Sequence, residues 1–165
     1  MEISFSIFFR EGNEIRVSLS SFSEEALGDI ATDLAGIELV DISLVRQQGD
    51  FYADWKTLLQ IATSIGKFLS ENPNAILYYY CDEINPIPHI RPSHNIQPAE
   101  YRNRLFSILF QKGALLFPSL EVEDKPIIIK SDEGTAYIHL IYNSCLKEKA
   151  QMISDYLLEI AEGIK

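Results

Sequence analysis

The spacing of hydrophobic residues predicts a chain of strands and helices. Apolar and polar residues alternate over 3–9 and 15–20, which predicts two strands. Gly12-Asn13 lies between them and suits the tight turn of an antiparallel hairpin. Residues 37–46 are rich in β-branched and aliphatic side chains, as in a third strand. Residues 75–81 are apolar or aromatic at every position, which predicts an interior strand.

Three-to-four spacing of apolar residues predicts the helices. Ser23 is a suitable N-cap for a helix that Gly36 ends, and the strongest helical pattern runs over 54–70. Pro98 is acceptable in the first turn of a helix that reaches Lys112, where Gly113 suits a left-handed cap. A last helix is predicted over 146–162.

The remaining segments complete the predicted fold. Residues 82–97 contain three prolines with several asparagines and serines, which predicts a long loop. Leu115–Val122 and Pro126–Lys130 are predicted as strand-like pieces, followed by a strand over 135–142. Strands in adjacent pairs, separated by whole helices, predict an α+β fold. We expect a single domain over 1–165, with a mainly antiparallel sheet and helices packed on one face, in two layers.

Charge narrows the range of partners. The 165 residues include 14 basic and 24 acidic side chains, for a net charge of −10, and 47% are hydrophobic, as in a folded globular protein. This charge repels nucleic acid and anionic membranes, and it favours encounter with a basic protein. The acidic residues form two clusters in the sequence: Glu24, Glu25, Asp29 and Asp33, then Glu121, Glu123 and Asp124.

The cysteines and the N-terminus predict a cytoplasmic protein. Cys81 and Cys145 are far apart in sequence and do not resemble a disulfide framework, so we expect two buried thiols. Residues 1–5 lack the features of a secretory signal, and no apolar stretch is long enough to cross a bilayer.

Candidate binding residues cluster after the predicted interior strand. A sheet fixes the backbone at a strand end while the following loop adapts to a ligand. The candidates are Asp82, Glu83, His89, Arg91, His94 and Arg104. Their spacings fit no zinc signature, and no nucleotide, GxSxG, HExxH or CxxC motif occurs, so we expect no metal and no cofactor.

Two further polar residues have a predicted structural role. Arg104 is four residues after Glu100 and can form an exposed ion pair with it, or turn back to a carboxylate at the strand end. His139 lies within the predicted strand over 135–142, where a hydrogen-bonded structural histidine is expected rather than a ligand.

One resemblance to a family follows from two motifs. Residues 74–82 form an apolar strand that ends in Cys-Asp, and Arg102-Asn103-Arg104-Leu105-Phe106 follows at the start of a helix. This pair of motifs resembles that of a family of uncharacterised bacterial domains of unknown function. The insertion over 83–99 is longer here, which leaves the register of the two motifs open. The resemblance implies a bacterial origin and a shared α+β core, and no activity.

Three functional hypotheses remain open. The first is a protein-binding module, such as an antitoxin or an immunity protein, that binds a basic partner through its acidic surface and the 82–97 loop. The second is a small enzyme in which Asp82, Glu83 and the loop histidines act on a polar substrate. The third is a subunit of an oligomer such as a dimer, suggested by apolar residues on both faces of the early and late strands.

Overall fold

A computed structural model describes residues 1–9, 12–48, 55–81 and 97–163. Within these ranges the strands are β1 (Glu2–Phe9), β2 (Asn13–Ser21), β3 (Glu38–Gln48), β4 (Ala75–Cys81), β5 (Val122–Ser131) and β6 (Gly134–Asn143). The α-helices are α1 (Glu24–Leu27), α2 (Trp55–Glu71), α3 (Pro98–Ala114) and α4 (Lys147–Ala161). Short 3-10 turns over Gly28–Ile30 and Ser144–Leu146 follow α1 and precede α4.

The strands form one open sheet in the order β1-β2-β3-β4-β6-β5. Neighbours are antiparallel except β3 and β4, which are parallel and are connected through α2. A parallel pair needs such a crossover because the chain must return to the same end of the sheet. The predicted α+β class with a mainly antiparallel sheet is confirmed, and β4 is an interior strand as expected.

Helices pack on both faces of the sheet, whereas the sequence led us to expect one face and two layers. Successive residues of a strand point to opposite faces, and Ile76 and Leu77 of β4 belong to different core clusters. Ile76 packs in the cluster that contains Ile153 of α4. Leu77 packs in the cluster that contains Phe68 of α2 and Phe106 of α3. The two interior strands β4 and β6 are buried on both faces, so each face needs a covering helix.

The helix predicted between Ser23 and Gly36 is much shorter than expected. Ser23 does cap it, because its hydroxyl accepts a hydrogen bond from the amide of Ala26 at 3.2 Å. Gly28 then adopts a positive φ of 58°, which ends α1 after one turn. The turns that follow bury Ile30 and Leu34 against the sheet.

The strand predicted over Leu115–Val122 is also different in the structure. Residues 115–121 form turns after α3, in which the amides of Leu116 and Leu120 donate to the carbonyls of Gly113 and Phe117. Gly113 lies inside α3 rather than in a left-handed cap. Phe117 and Leu120 cover the end of the α2–α3 layer, whereas Leu115 and Leu116 are exposed. Apolar periodicity alone does not distinguish this role from that of a strand.

Candidate functional site

The predicted loop lies between an interior strand and α3. β4 ends at Cys81 and α3 begins at Pro98. The predicted candidates Asp82, Glu83, His89, Arg91 and His94 lie outside the described residues. Their roles in binding or catalysis stay predictions.

Arg104 forms the local ion pair that its spacing allows. Its Nη2 atom lies 2.6 Å from Oε1 of Glu100, and the two side chains are 60% and 36% exposed. An exposed pair of this kind contributes about 0.3–0.5 kcal/mol to stability. In this arrangement Arg104 stabilises the exposed surface of α3. The carboxylates after the strand end, with which a buried pair was the alternative, lie outside the described residues.

A buried polar bridge joins α3 to the sheet through His139. The side chain of His139 on β6 is fully buried. Its Nδ1 atom lies 2.9 and 3.0 Å from the two carboxylate oxygens of Asp124 on β5. Its Nε2 atom lies 2.6 Å from Oδ1 of Asn103 on α3. Since a carboxylate only accepts, Nδ1 donates to Asp124. In that neutral tautomer Nε2 accepts, so the Asn103 amide bonds it when turned to present its NH2 group to the ring.

Aromatic stacking reinforces this bridge. The ring of Phe106 on α3 lies 4.5 Å from the His139 ring and 4.7 Å from the Tyr79 ring, measured between centroids. The Tyr79 and Phe106 planes differ by 19°, so the pair is stacked. Polar contacts and ring contacts therefore fix the N-terminal half of α3, and with it the point where the 82–97 segment rejoins the described chain.

The expected structural role of His139 agrees with this geometry, but its partners were not predicted. A fully buried imidazole does not reach a solvent-borne ligand, and it serves here to position α3. Asp124 is only 12% exposed and binds His139, so it does not belong to a solvated acidic surface as its cluster with Glu121 and Glu123 suggested. Asn103 and Asp124 are 36 and 15 residues from His139 in sequence, too far for a spacing rule to connect them.

An acidic groove lies between α4 and the segment after α1. Glu148, Asp155 and Glu159 recur along one side of α4 at spacings of seven and four residues and line this groove of about 350 Å³. Ile30, Met152 and Tyr156 supply its apolar surface. Carboxylates beside apolar side chains form a surface that suits a basic, partly apolar polypeptide segment.

The opposite wall of the groove adds further negative charge nearby. Asp29 and Asp33 are exposed in the turns that contain Ile30, and residues 22–37 carry no basic side chain. The Nζ atom of Lys149 donates to the carbonyl of Asp33 at 2.6 Å, which ties these turns to α4. Tyr156 also approaches the turns closely: a Cβ atom added to Gly28 would lie 2.6 Å from its hydroxyl. The groove therefore has two connected walls.

A strip of polar side chains covers β1, β2 and β3 on the face of the sheet that lies on the α4 side. Its side chains alternate with the buried ones and include Ser4, Ser6, Ser18, Ser20, Asp41 and Ser43. Tyr78 of β4 pairs with Asp41 at its border. Burial raises the pKa of the Asp41 carboxyl. Burial, followed by the charge of Asp41 and by Tyr80, raises the pKa of Tyr78 from 10.0 to about 12.

We expect stability to fall at high pH because of Tyr78. Between the unfolded pKa of 10.0 and the folded pKa of about 12, the unfolded chain loses the phenolic proton while the folded chain keeps it. The free energy of unfolding therefore decreases as the pH rises through this interval. Tyr78→Phe removes this contribution and preserves the edge contact with the Phe22 ring. Urea unfolding from about pH 9 to 12 should give a shallower decline for the variant, and parallel curves would contradict the assignment.

An apolar cavity of about 60 Å³ lies between α2, α3 and the sheet. Ile65, Leu69, Phe106, Leu109, Phe117 and Ile141 line it. Gly66 lets the Phe117 ring come close to α2, since an added Cβ atom would lie 2.2 Å from Cε2 of that ring. Among the described residues, no polar side chain lines the cavity to orient a ligand, so we describe it as a feature of packing.

Within the part of the chain that the structure describes, no cluster of three or more metal-ligating side chains occurs. In the same ranges, no helix is long and apolar enough to cross a membrane. No disulfide joins the two cysteines: Cys81 is buried as expected, but Cys145 is exposed, because the turn before α4 places it at the surface.

The comparisons with known proteins find no relative. No protein-family model matches the chain, and neither curated proteins nor solved structures include a significant match. The resemblance to uncharacterised bacterial domains therefore stays a prediction.

Proposed function

We propose that this protein is a binding module for a basic partner protein, in the manner of an antitoxin or an immunity protein. The acidic groove between α4 and the turns after α1 carries this proposal. It places Glu148, Asp155 and Glu159 around an apolar surface on a chain whose net charge is −10. Lysine or arginine side chains of a partner would meet these carboxylates while apolar side chains contact Met152 and Tyr156.

Charge distribution supports this site over the other acidic cluster. In the second cluster, Asp124 is committed to His139, and Glu123 lies 3.9 Å from the ammonium of Lys147. The two basic residues of α4 are Lys147, which lies beside Glu123, and Lys149, which donates to the carbonyl of Asp33, and residues 150–161 contain no basic side chain. A cleft lined by one sign of charge focuses the electric field and accelerates encounter with an oppositely charged partner.

The 82–97 segment belongs to the same proposal as a second contact. The His139 bridge and the Phe106 stack hold α3 firmly, and β4 holds the other end of the segment. A rigid frame at both ends lets a loop present side chains at low entropic cost on binding. We propose a cytoplasmic location, where a chain without a disulfide between its cysteines would function.

Two variants with equal charge change test the groove. In the groove variant, Glu148→Gln, Asp155→Asn and Glu159→Gln remove three negative charges. In the control, Glu121→Gln, Asp132→Asn and Glu133→Gln remove three exposed charges elsewhere. Each variant and the wild type are immobilised and exposed to bacterial lysate at low and high salt. We expect the wild type and the control to retain a basic protein that high salt releases, and the groove variant to retain it at least about tenfold more weakly.

Two results would refute the proposal. One is that no salt-sensitive basic protein is retained by the wild type. The other is that the groove variant and the control lose equal amounts of it, since long-range charge alone would then explain the retention.

A further inference from the structure

The outer edge of β1 is an open edge of the sheet. The strand order places β1 and β5 at the two margins, and within the described residues no strand pairs with the outer side of β1. The amide of Ser21 donates to the carbonyl of Met1 at 3.0 Å, so residues 1 and 21 form a hydrogen-bonded pair. Hydrogen-bonded pairs recur every second residue of an antiparallel ladder. The backbone groups of Ile3, Phe5 and Ile7 therefore face β2.

The intervening residues of β1 turn their backbone groups outward. These residues are Glu2, Ser4, Ser6 and Phe8. Each offers one N–H donor and one C=O acceptor along a strand of eight residues. A row of this kind is a template for pairing with another strand.

The opposite edge of the sheet is protected, and β1 is not. The amide of Ser144 donates to the carbonyl of Glu121 at 2.7 Å, so by the same alternation the even-numbered residues of β5 face outward. Pro126 is one of these and removes a donor from that edge, and lysines at 125 and 130 add charge. β1 has no proline, and Glu2 is its one charged residue. Its Ile3 and Phe8 side chains are 41% and 73% exposed.

We propose that two copies of this chain pair through β1, antiparallel, about a two-fold axis at Phe5. This register places Ser4 opposite the partner's Ser6 and Glu2 opposite the partner's Phe8. Every outward-facing residue then meets an outward-facing residue, so all four form hydrogen-bonded pairs. The sheet continues from one copy into the other, and the acidic groove takes no part in the contact.

The sequence of β1 is self-complementary in this register. On the α2 side of the sheet, Ile3 lies opposite the partner's Ile7, and the two Phe5 side chains face each other. The apolar side chains on this side of β1 therefore continue from one copy to the other. On the other side, serine lies opposite serine. No like charges meet, because Glu2 is opposite a phenylalanine. An interface that uses the same patch on both copies and closes on itself gives a dimer.

Paired proline variants test the edge. Ser6→Pro removes an outward N–H and the side-chain hydrogen bond from Ser6 to Glu14, and it leaves the backbone hydrogen bonds between β1 and β2 intact. Ile128→Pro removes the outward N–H at a corresponding position of β5. Sedimentation equilibrium over about 1 to 100 µM should show the wild type and Ile128→Pro shifting from the monomer mass of 18.8 kDa to its dimer. The dissociation constant of Ser6→Pro should rise at least about tenfold.

Cross-linking tests the register and does not depend on the folding of a proline variant. In a Cys145→Ser background, chains with Ser4→Cys are mixed with chains with Ser6→Cys under oxidising conditions. Opposed hydrogen-bonded residues have Cα atoms about 5.5 Å apart, within the range of a disulfide. We expect a disulfide-linked dimer in the mixture and none with either variant alone.

Three results would overturn the proposal. The first is a wild-type chain that stays monomeric over the whole concentration range. The second is a dimer that Ser6→Pro leaves intact and Ile128→Pro dissociates. The third is a cross-link that the Ser4→Cys chains form by themselves and that adding the Ser6→Cys chains does not increase, which would require a different register.

Discussion

His139→Ala should lower the free energy of unfolding by about 3 kcal/mol, since it removes two buried hydrogen bonds and leaves a cavity beneath α3. His139 is fully buried, and Asp124 would lose its imidazole donor while it is only 12% exposed. Phe106 would also lose the ring on which it stacks. Urea denaturation measures the change, and with an m value of about 2 kcal/mol/M the midpoint should fall by about 1.5 M.

Two further variants separate the bridge from general packing. Asn103→Ala removes one hydrogen bond and should cost about 1 kcal/mol. Ile128→Ala, at an exposed position on the neighbouring strand β5, should change stability by less than about 0.5 kcal/mol. If His139→Ala were as mild as Ile128→Ala, the bridge would not hold α3 on the sheet, and the rigid frame we propose for the 82–97 segment would lose its support.

Gly66→Ala should destabilise the protein by about 1–2 kcal/mol, although alanine normally favours a helix over glycine. The added Cβ atom would lie 2.2, 2.6 and 2.8 Å from three atoms of the Phe117 ring, so the ring must move from its place at the cavity. This overpacking outweighs the helix propensity gain of about 0.5–1 kcal/mol. Thermal or urea unfolding measures the sign directly.

The same substitution should reverse its sign when the ring is absent. In a Phe117→Ala background the obstacle is removed, and Gly66→Ala should then be neutral or stabilising by up to about 1 kcal/mol. An equal loss in both backgrounds would show that Phe117 is not the cause. This pair of measurements isolates one contact between α2 and the turns after α3.

Local sequence patterns were sufficient for the elements with strong periodicity. The alternation of β1 and β2, the helical spacing of α2 and the fully apolar β4 all occur close to their predicted positions. The length of the helix after Ser23 was overestimated, because Gly28 adopts a positive φ that the neighbouring residues in the sequence do not indicate. The prediction of a strand from Leu115 was also wrong. Apolar residues without a clear period indicate burial and not a particular backbone conformation.

The candidate site was only partly predictable. The net charge of −10 and the acids of residues 24–33 indicated an acidic surface. Nothing in the sequence indicated that Glu148, Asp155 and Glu159 form a groove with the turns around Ile30. The role of His139 was expected from its place in an apolar strand, but its partners Asn103 and Asp124 come from two other elements.

The sequence by itself determined the fold class, the interior position of β4, most strands and helices, and the sign of the surface charge. These properties depend on interactions between residues a few positions apart, or on composition. Only the tertiary structure decided that helices cover both faces of the sheet, that a buried bridge fixes α3, and that no described strand pairs with the outer edge of β1. Each of these depends on contacts between residues far apart in sequence, and the period of a helix or strand identifies its apolar face without specifying what that face packs against.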